Sequence, residues 1–157
     1  MYYFILSLFL WFFESTSPAV EVINLEQLQA KTITKTNDSL YVVNFWATWC
    51  GPCMAELPYF EKAGKSFSAK KIKIVLVSLD FLRDTQKVDK FVANKKIKSQ
   101  VYVLNAGNPN IWIDKIEPLW GGAIPATLFY RSGEKVFFRE GDFTQAELDS
   151  LITIHLN

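Results

Sequence analysis

Residues 40–58 read Leu40-Tyr41-Val42-Val43-Asn44-Phe45-Trp46-Ala47-Thr48-Trp49-Cys50-Gly51-Pro52-Cys53-Met54-Ala55-Glu56-Leu57-Pro58 and contain both cysteines of the chain. Residues 40–47 are, apart from Asn44, an apolar, β-branched and aromatic run, the pattern of a strand buried on both faces. A helix over about 51–67 is expected to follow. With Cys50 at the start of that helix, its sulfur faces unpaired backbone N–H groups and the positive end of the helix dipole, which favour thiolate over thiol. Cys50 is therefore the expected nucleophile. Cys53 lies one turn on along the same face, placed to attack a mixed disulfide formed at Cys50, and is the expected resolving thiol. Pro52 suits the first turn, where its fixed φ fits and an N–H would have no partner.

Other readings of C-x-x-C lack their required companions. A zinc ribbon needs a second ligand pair, and c-type haem attachment needs a histidine where Met54 stands. The single histidine, His155, is expected on the surface of a terminal helix, so a Cys-His or Ser-His catalytic pair is disfavoured. No metal is expected, and no cofactor beyond a redox-active Cys50–Cys53 disulfide. An inert disulfide closing so short a loop would stabilise little by the chain-entropy argument.

Outward from this segment, elements alternate. Residues 20–23 read as a short strand, with Asn24 capping a helix near 25–31. Residues 71–79 (KIKIVLVSL) read as a second core strand, 84–94 as a helix, 100–104 as a third strand, and the Trp-rich stretch after Asn108-Pro109 as a helix over 110–119. Two strands, 126–130 and 135–140, are joined across Arg131-Ser132-Gly133-Glu134, a hairpin signal. Thr144 with Glu147 forms a capping box ahead of Leu148, Leu151 and Ile152. This order describes an α/β fold with a mixed central sheet flanked by helices, its active groups at the carboxyl ends of the parallel strands.

Hydrophobic residues make up 50% of the 157, and charged residues 21%, a globular composition. From Met1 to Phe13 only Ser7 is polar, too short a run to cross a bilayer as a helix, and Ser17 and Ala19 follow at spacing suited to signal peptidase. Residues 1–19 are accordingly expected to be a signal peptide or signal anchor, and 20–157 one domain. No Lys or Arg precedes Lys31, so this leader lacks the usual positive start. The net charge of +1 gives no basic excess for nucleic acid, and Lys87, Lys90, Lys95, Lys96 and Lys98 interleave with Asp84 and Asp89 as a solvated helix face.

Residues 44–50, the Trp49-Cys50-Gly51-Pro52-Cys53 motif and the Glu56-x-Pro58 tail resemble the thioredoxin family, and most of all its exported TlpA/ResA-type thiol-disulfide oxidoreductases. Val77-Ser78-Leu79-Asp80, Ile124-Pro125-Ala126-Thr127 and Gly141 extend the likeness loosely over 38–157. The resemblance implies a thioredoxin-like fold with an insertion before the cis-proline strand, a cis bond before Pro125, and an Ile124 backbone that pairs with an extended substrate. It implies Cys50, Cys53 and Glu56 as catalytic residues, and Trp49, Gly51, Pro52, Ile124 and Pro125 as substrate-binding. Asn44 stands where cytosolic thioredoxins carry a buried aspartate, and an amide cannot shuttle a proton. Glu56, in similar exported reductases, is proposed to handle protons instead; a carboxylate beside a buried thiol would have a raised pKa. The competing reading of Glu56 is a surface side chain in the first turns of a helix. Trp112 and Trp120 are expected to pack the core.

The expected function is reduction of protein disulfides in the periplasm, with the chain anchored to a membrane by its first residues if the leader is retained. Its partners would be disulfide-containing substrate proteins and an upstream membrane or periplasmic thiol reductant, and the protein a monomer. The Gly-Pro dipeptide is that of strongly reducing thioredoxins, near roughly −270 mV against about −120 mV for a dedicated oxidant. Alternatives are an oxidase or isomerase running the same motif the other way, a peroxide-reducing enzyme, which would want a P-x-x-x-T/S-x-x-C setting, and a copper-binding protein using Met54.

Overall fold

Seven consecutive residues of the quoted segment, Leu40–Trp46, form a strand in which every side chain is buried. The computed structural model describes residues 20–156; the expected leader over 1–19 lies outside the described residues. In chain order the elements are β1 (Glu21–Ile23), α1 (Leu25–Leu28, prolonged by a π-helical turn, Gln29–Ile33), β2 (Leu40–Trp46), α2 (Gly51–Ser66) and β3 (Ile72–Ser78). A 3-10 turn (Leu82–Asp84) leads into α3 (Thr85–Lys95), then β4 (Gln100–Leu104), α4 (Pro109–Ile116), β5 (Ala126–Arg131), β6 (Glu134–Glu140) and α5 (Gln145–Leu156). The six strands form one sheet in the order β1-β4-β3-β2-β5-β6. β1, β4, β3 and β2 run parallel, while β5 pairs antiparallel with β2 and with β6. β2 and β3 lie at the centre, which is why both are near-continuously apolar rather than alternating.

The pleat sends alternate side chains of β2 to opposite faces, and the two faces are covered separately. Leu40, Val42 and Trp46 pack with Leu57, Phe60, Val88, Phe143, Leu148 and Ile152, beneath α2, α3 and α5. Tyr41, Val43 and Phe45 pack with Leu25, Leu28, Trp112, Ile116 and Trp120, beneath α1 and α4. The insertion tryptophans are thus core, as the sequence suggests: Phe45 and Trp120 ring centroids are 4.8 Å apart, and Trp112 and Trp120 are 5.6 Å apart.

Local signals explain the boundaries. Asn24 and Gln27 form a reciprocal capping box at α1, and Thr144 and Glu147 do so before α5. The hairpin turn carries positive φ at Ser132 and Gly133, the geometry whose twist matches two paired strands. α4 ends at Ile116 rather than extending to 119, because Glu117 precedes Pro118 and is forced to extended dihedrals, φ −156° and ψ 107°. His155 is not a surface residue as expected: it is half-buried, its ring 5.7 Å from Phe129 and 6.0 Å from Phe137. The lysines at 87, 90, 95, 96 and 98 are all exposed.

Candidate active site

β2 delivers the cysteines to the carboxyl end of the parallel strands. Immediately after the tight turn closed by the Cys50 N–H to the Ala47 carbonyl (3.1 Å), the chain becomes helical at Gly51. Cys50 is the N-cap of α2, with extended dihedrals, and its Sγ accepts the Cys53 N–H at 3.3 Å. That contact directs a backbone donor of the first turn onto sulfur, where it favours a thiolate. Cys50 and Cys53 form a disulfide. Cys53 is fully buried, whereas Cys50 retains 6% exposure beside Trp49, 60% exposed, and the exposed Gly51 and Pro52. Of the pair, only Cys50 retains any exposure.

The loop before β5 faces this lip. The Ile124–Pro125 bond is cis, and the Ile124 carbonyl oxygen lies 3.7 Å from Cys50 Sγ. Ile124 is half-buried and Pro125 buried. Gly141, at φ +120°, donates its N–H to the Pro125 carbonyl at 2.9 Å, tying the end of β6 to the loop. Trp49, Gly51 and Pro52 flank Cys50 along the chain, and the Ile124–Pro125 loop meets its sulfur at the Ile124 carbonyl.

Glu56 is 1% exposed, which overturns the reading of a surface side chain. Its Oε1 accepts from Asn44 Nδ2 at 2.8 Å, and its Oε2 accepts the Phe143 N–H at 2.9 Å. Burial is the largest influence and pushes its pKa up from the ordinary 4.5 to about 7, against those two donors. Glu56 can thus exist in either protonation state near neutral pH, one turn of α2 beyond Cys53.

Two groups to which the sequence reading gave no role in the site complete it. Asn44 stands opposite Thr127 across the β2–β5 pair and donates to its Oγ1 at 3.0 Å as well as to Glu56. Asp80, just past β3, is buried; it accepts the Thr48 N–H at 2.9 Å, the Thr48 hydroxyl at 2.6 Å and the Ser78 hydroxyl at 2.7 Å. These bonds fix the segment that leads into Trp49 and Cys50. A buried aspartate closing a core strand was the available signal, but its partner is 32 residues away. No group of three or more His, Cys, Asp or Glu placed to hold a metal occurs among the described residues.

A cysteine pair at the start of the helix after the central strand, facing a cis-proline loop across a mixed sheet, defines a thioredoxin-fold protein of the dithiol-disulfide class. The chain belongs to the AhpC/TSA family, whose profile matches residues 15–136. Its sequence is similar to the thiol-disulfide oxidoreductase ResA of Oceanobacillus iheyensis, 51% identical over 39 residues, 25% of this chain and 20% of that protein. It is 27% identical over 115 residues to sporulation thiol-disulfide oxidoreductase A of Bacillus subtilis, covering 68% of this chain and 70% of that one. These relatives support the TlpA/ResA-type branch, although the first match spans a fifth of that relative's length. The fold is similar to the crystal structure of StoA from Bacillus subtilis (TM-score 0.59, 22% identity, 74% of this chain and 84% of that chain). It is also similar to a thioredoxin-family thiol:disulfide interchange protein of Chlorobium tepidum TLS (TM-score 0.65, 20% identity, 82% and 85%).

Proposed function

We propose that the protein is an exported thiol-disulfide oxidoreductase that reduces disulfides in other proteins by cycling Cys50 and Cys53 between dithiol and disulfide. The observation that carries this reading is the asymmetry of the pair: Cys50 caps a helix N-terminus at an exposed lip, and Cys53 is buried behind it. In the reduced state the Cys50 thiolate attacks one sulfur of the substrate disulfide, and the other substrate sulfur departs with the bonding electron pair. A mixed disulfide results. Cys53 gives its proton to the Glu56 carboxylate and attacks Cys50 Sγ. The remaining substrate sulfur leaves as a thiolate and is protonated from solvent, and Cys50–Cys53 becomes a disulfide. Two electrons have passed to the substrate. An upstream membrane or periplasmic thiol reductant returns them.

Trp49, Gly51 and Pro52 form the surface over which the substrate lies, and the Ile124 backbone pairs with its extended segment. The names of the ResA and sporulation relatives support the reaction class. The reducing direction rests on the Gly-Pro dipeptide, and the periplasmic location on the apolar residues before Glu14. The described residues contain no helix long and apolar enough to cross a membrane. A peroxide-reducing reading has less support, because Val43 and Ala47 stand where P-x-x-x-T/S-x-x-C would place its Pro and Thr or Ser.

The test is a Cys53→Ser chain expressed in its own host. It should accumulate mixed disulfides on Cys50 that release identifiable proteins on reduction; recovery of no disulfide-linked partner overturns the proposal. A reduction potential above about −150 mV would overturn the reducing direction.

A further inference from the structure

Asn44 Oδ1 is buried without a hydrogen-bond partner, although the same amide's nitrogen makes two bonds. An orphaned acceptor in a core is costly and calls for a reason. The surroundings supply one. Glu56 Oε2 faces the Phe143 N–H, a backbone donor that cannot turn away, so a proton added to Glu56 belongs on Oε1. Oε1 faces Asn44 Nδ2. Protonation would therefore set O–H against N–H, two donors across 2.8 Å. Rotating the amide by half a turn about its terminal torsion resolves the conflict, since that torsion is broad and roughly two-fold.

After rotation Oδ1 accepts from the Glu56 hydroxyl. It also accepts from the Thr127 hydroxyl, whose oxygen is the present acceptor of Nδ2 and whose own proton is free to turn. The amide makes two bonds in either state: it donates both when Glu56 is a carboxylate and accepts both when Glu56 is a carboxylic acid. The atom left without a partner simply changes from Oδ1 to Nδ2.

We infer that Asn44 is a positioning residue that turns its amide in step with the protonation of Glu56, so that this buried carboxyl exchanges a proton without losing a hydrogen bond. This deepens the proposed reaction and rests on the role given there to Glu56. An aspartate at the same place would have no N–H for the charged form of Glu56 and would bring a second titrating carboxyl beside it. The other charges that bear on Glu56 are Asp142, which disfavours its ionisation, and Arg139, which favours it; both come from the β6–α5 side, and the disulfide sulfurs of the oxidised protein do not titrate.

The experiment is NMR of the oxidised, unsubstituted protein from pH 5 to pH 9, following the Glu56 carboxyl carbon and the Asn44 side-chain amide. The expected result is one shared midpoint, with the Nδ2 protons close to the Thr127 side chain above it and remote from it below. Nδ2 protons that keep the same contacts with Thr127 throughout, while Glu56 titrates, overturn the inference. Thr127→Val serves as a second readout: because Thr127 bonds the amide in both states, the Glu56 midpoint should move less than about threefold in proton affinity, whereas Asn44→Leu, which removes the donor to the charged form, should raise that affinity about tenfold. A threefold or larger shift in Thr127→Val also overturns it. None of these measurements depends on turnover, so loss of the reductase reading in the trapping experiment would leave them intact.

Discussion

Replacing Glu56 by glutamine should change how the stability of the oxidised protein depends on pH, by an amount the site itself sets. Burial holds the folded-state pKa near 7 against an ordinary 4.5. At about 1.4 kcal/mol per pKa unit this difference corresponds to about 3 kcal/mol. The direction follows from which state binds the proton more tightly. The folded pKa is the higher one, so the folded state is favoured by protonation: the full contribution is present below pH 4.5, it declines as pH rises through 7, and above that it is gone. Glutamine keeps the shape and cannot ionise; its oxygen can take the Phe143 N–H while its NH2 group meets Asn44, an exchange of neutral bonds worth about 1 kcal/mol either way. Urea unfolding of both proteins without reductant, from pH 4 to pH 9, gives the test. The gap between the wild-type and Glu56→Gln curves should shift by about 3 kcal/mol in favour of the variant between pH 4.5 and pH 8. Parallel curves would refute the argument, since they would mean that Glu56 titrates as an ordinary exposed carboxyl.

Other outcomes follow from contacts of the same kind. Asp80→Ala should destabilise the protein by about 2–4 kcal/mol, because it strands the Thr48 N–H, the Thr48 hydroxyl and the Ser78 hydroxyl in a buried site; urea unfolding reads this directly. Trp49→Ala should slow reduction of a protein disulfide at least several-fold while leaving a small-molecule disulfide such as DTNB little affected and stability within about 0.5 kcal/mol, because the ring is 60% exposed and lies beside Cys50. Phe60→Ala should cost about 3–5 kcal/mol, since its ring is fully buried beneath α2 against Phe143 at 6.3 Å. Cys50→Ser should abolish disulfide reduction, and Cys53→Ser should retain the first step only, which quantifying the mixed disulfide measures.

Much of the fold is legible along the chain because its signals are local. The apolar run over 40–46, the capping pairs Asn24/Gln27 and Thr144/Glu147, and the turn at Ser132-Gly133 each act within a few residues of themselves. The end of α4 is less legible, because a helical apolar pattern runs on through Leu119 and Trp120 while Pro118 stops the helix earlier. His155 was misplaced for a different reason: nothing near it in sequence announces Phe129 and Phe137, which reach it from the hairpin.

For the site, sequence alone determined the cysteine pair and its position at a helix start, because spacing in a helix and the signals that begin one are properties of the chain itself. Tertiary structure decided what Glu56 is. Its surroundings come from Asn44, 12 residues back, and from the Phe143 backbone, 87 residues on, and Asn44 in turn meets Thr127 across 83 residues. A carboxylate's ionisation depends on how much water is excluded and which donors face it, and both are settled only when β2, β5, α2 and the segment leading into α5 close over one another.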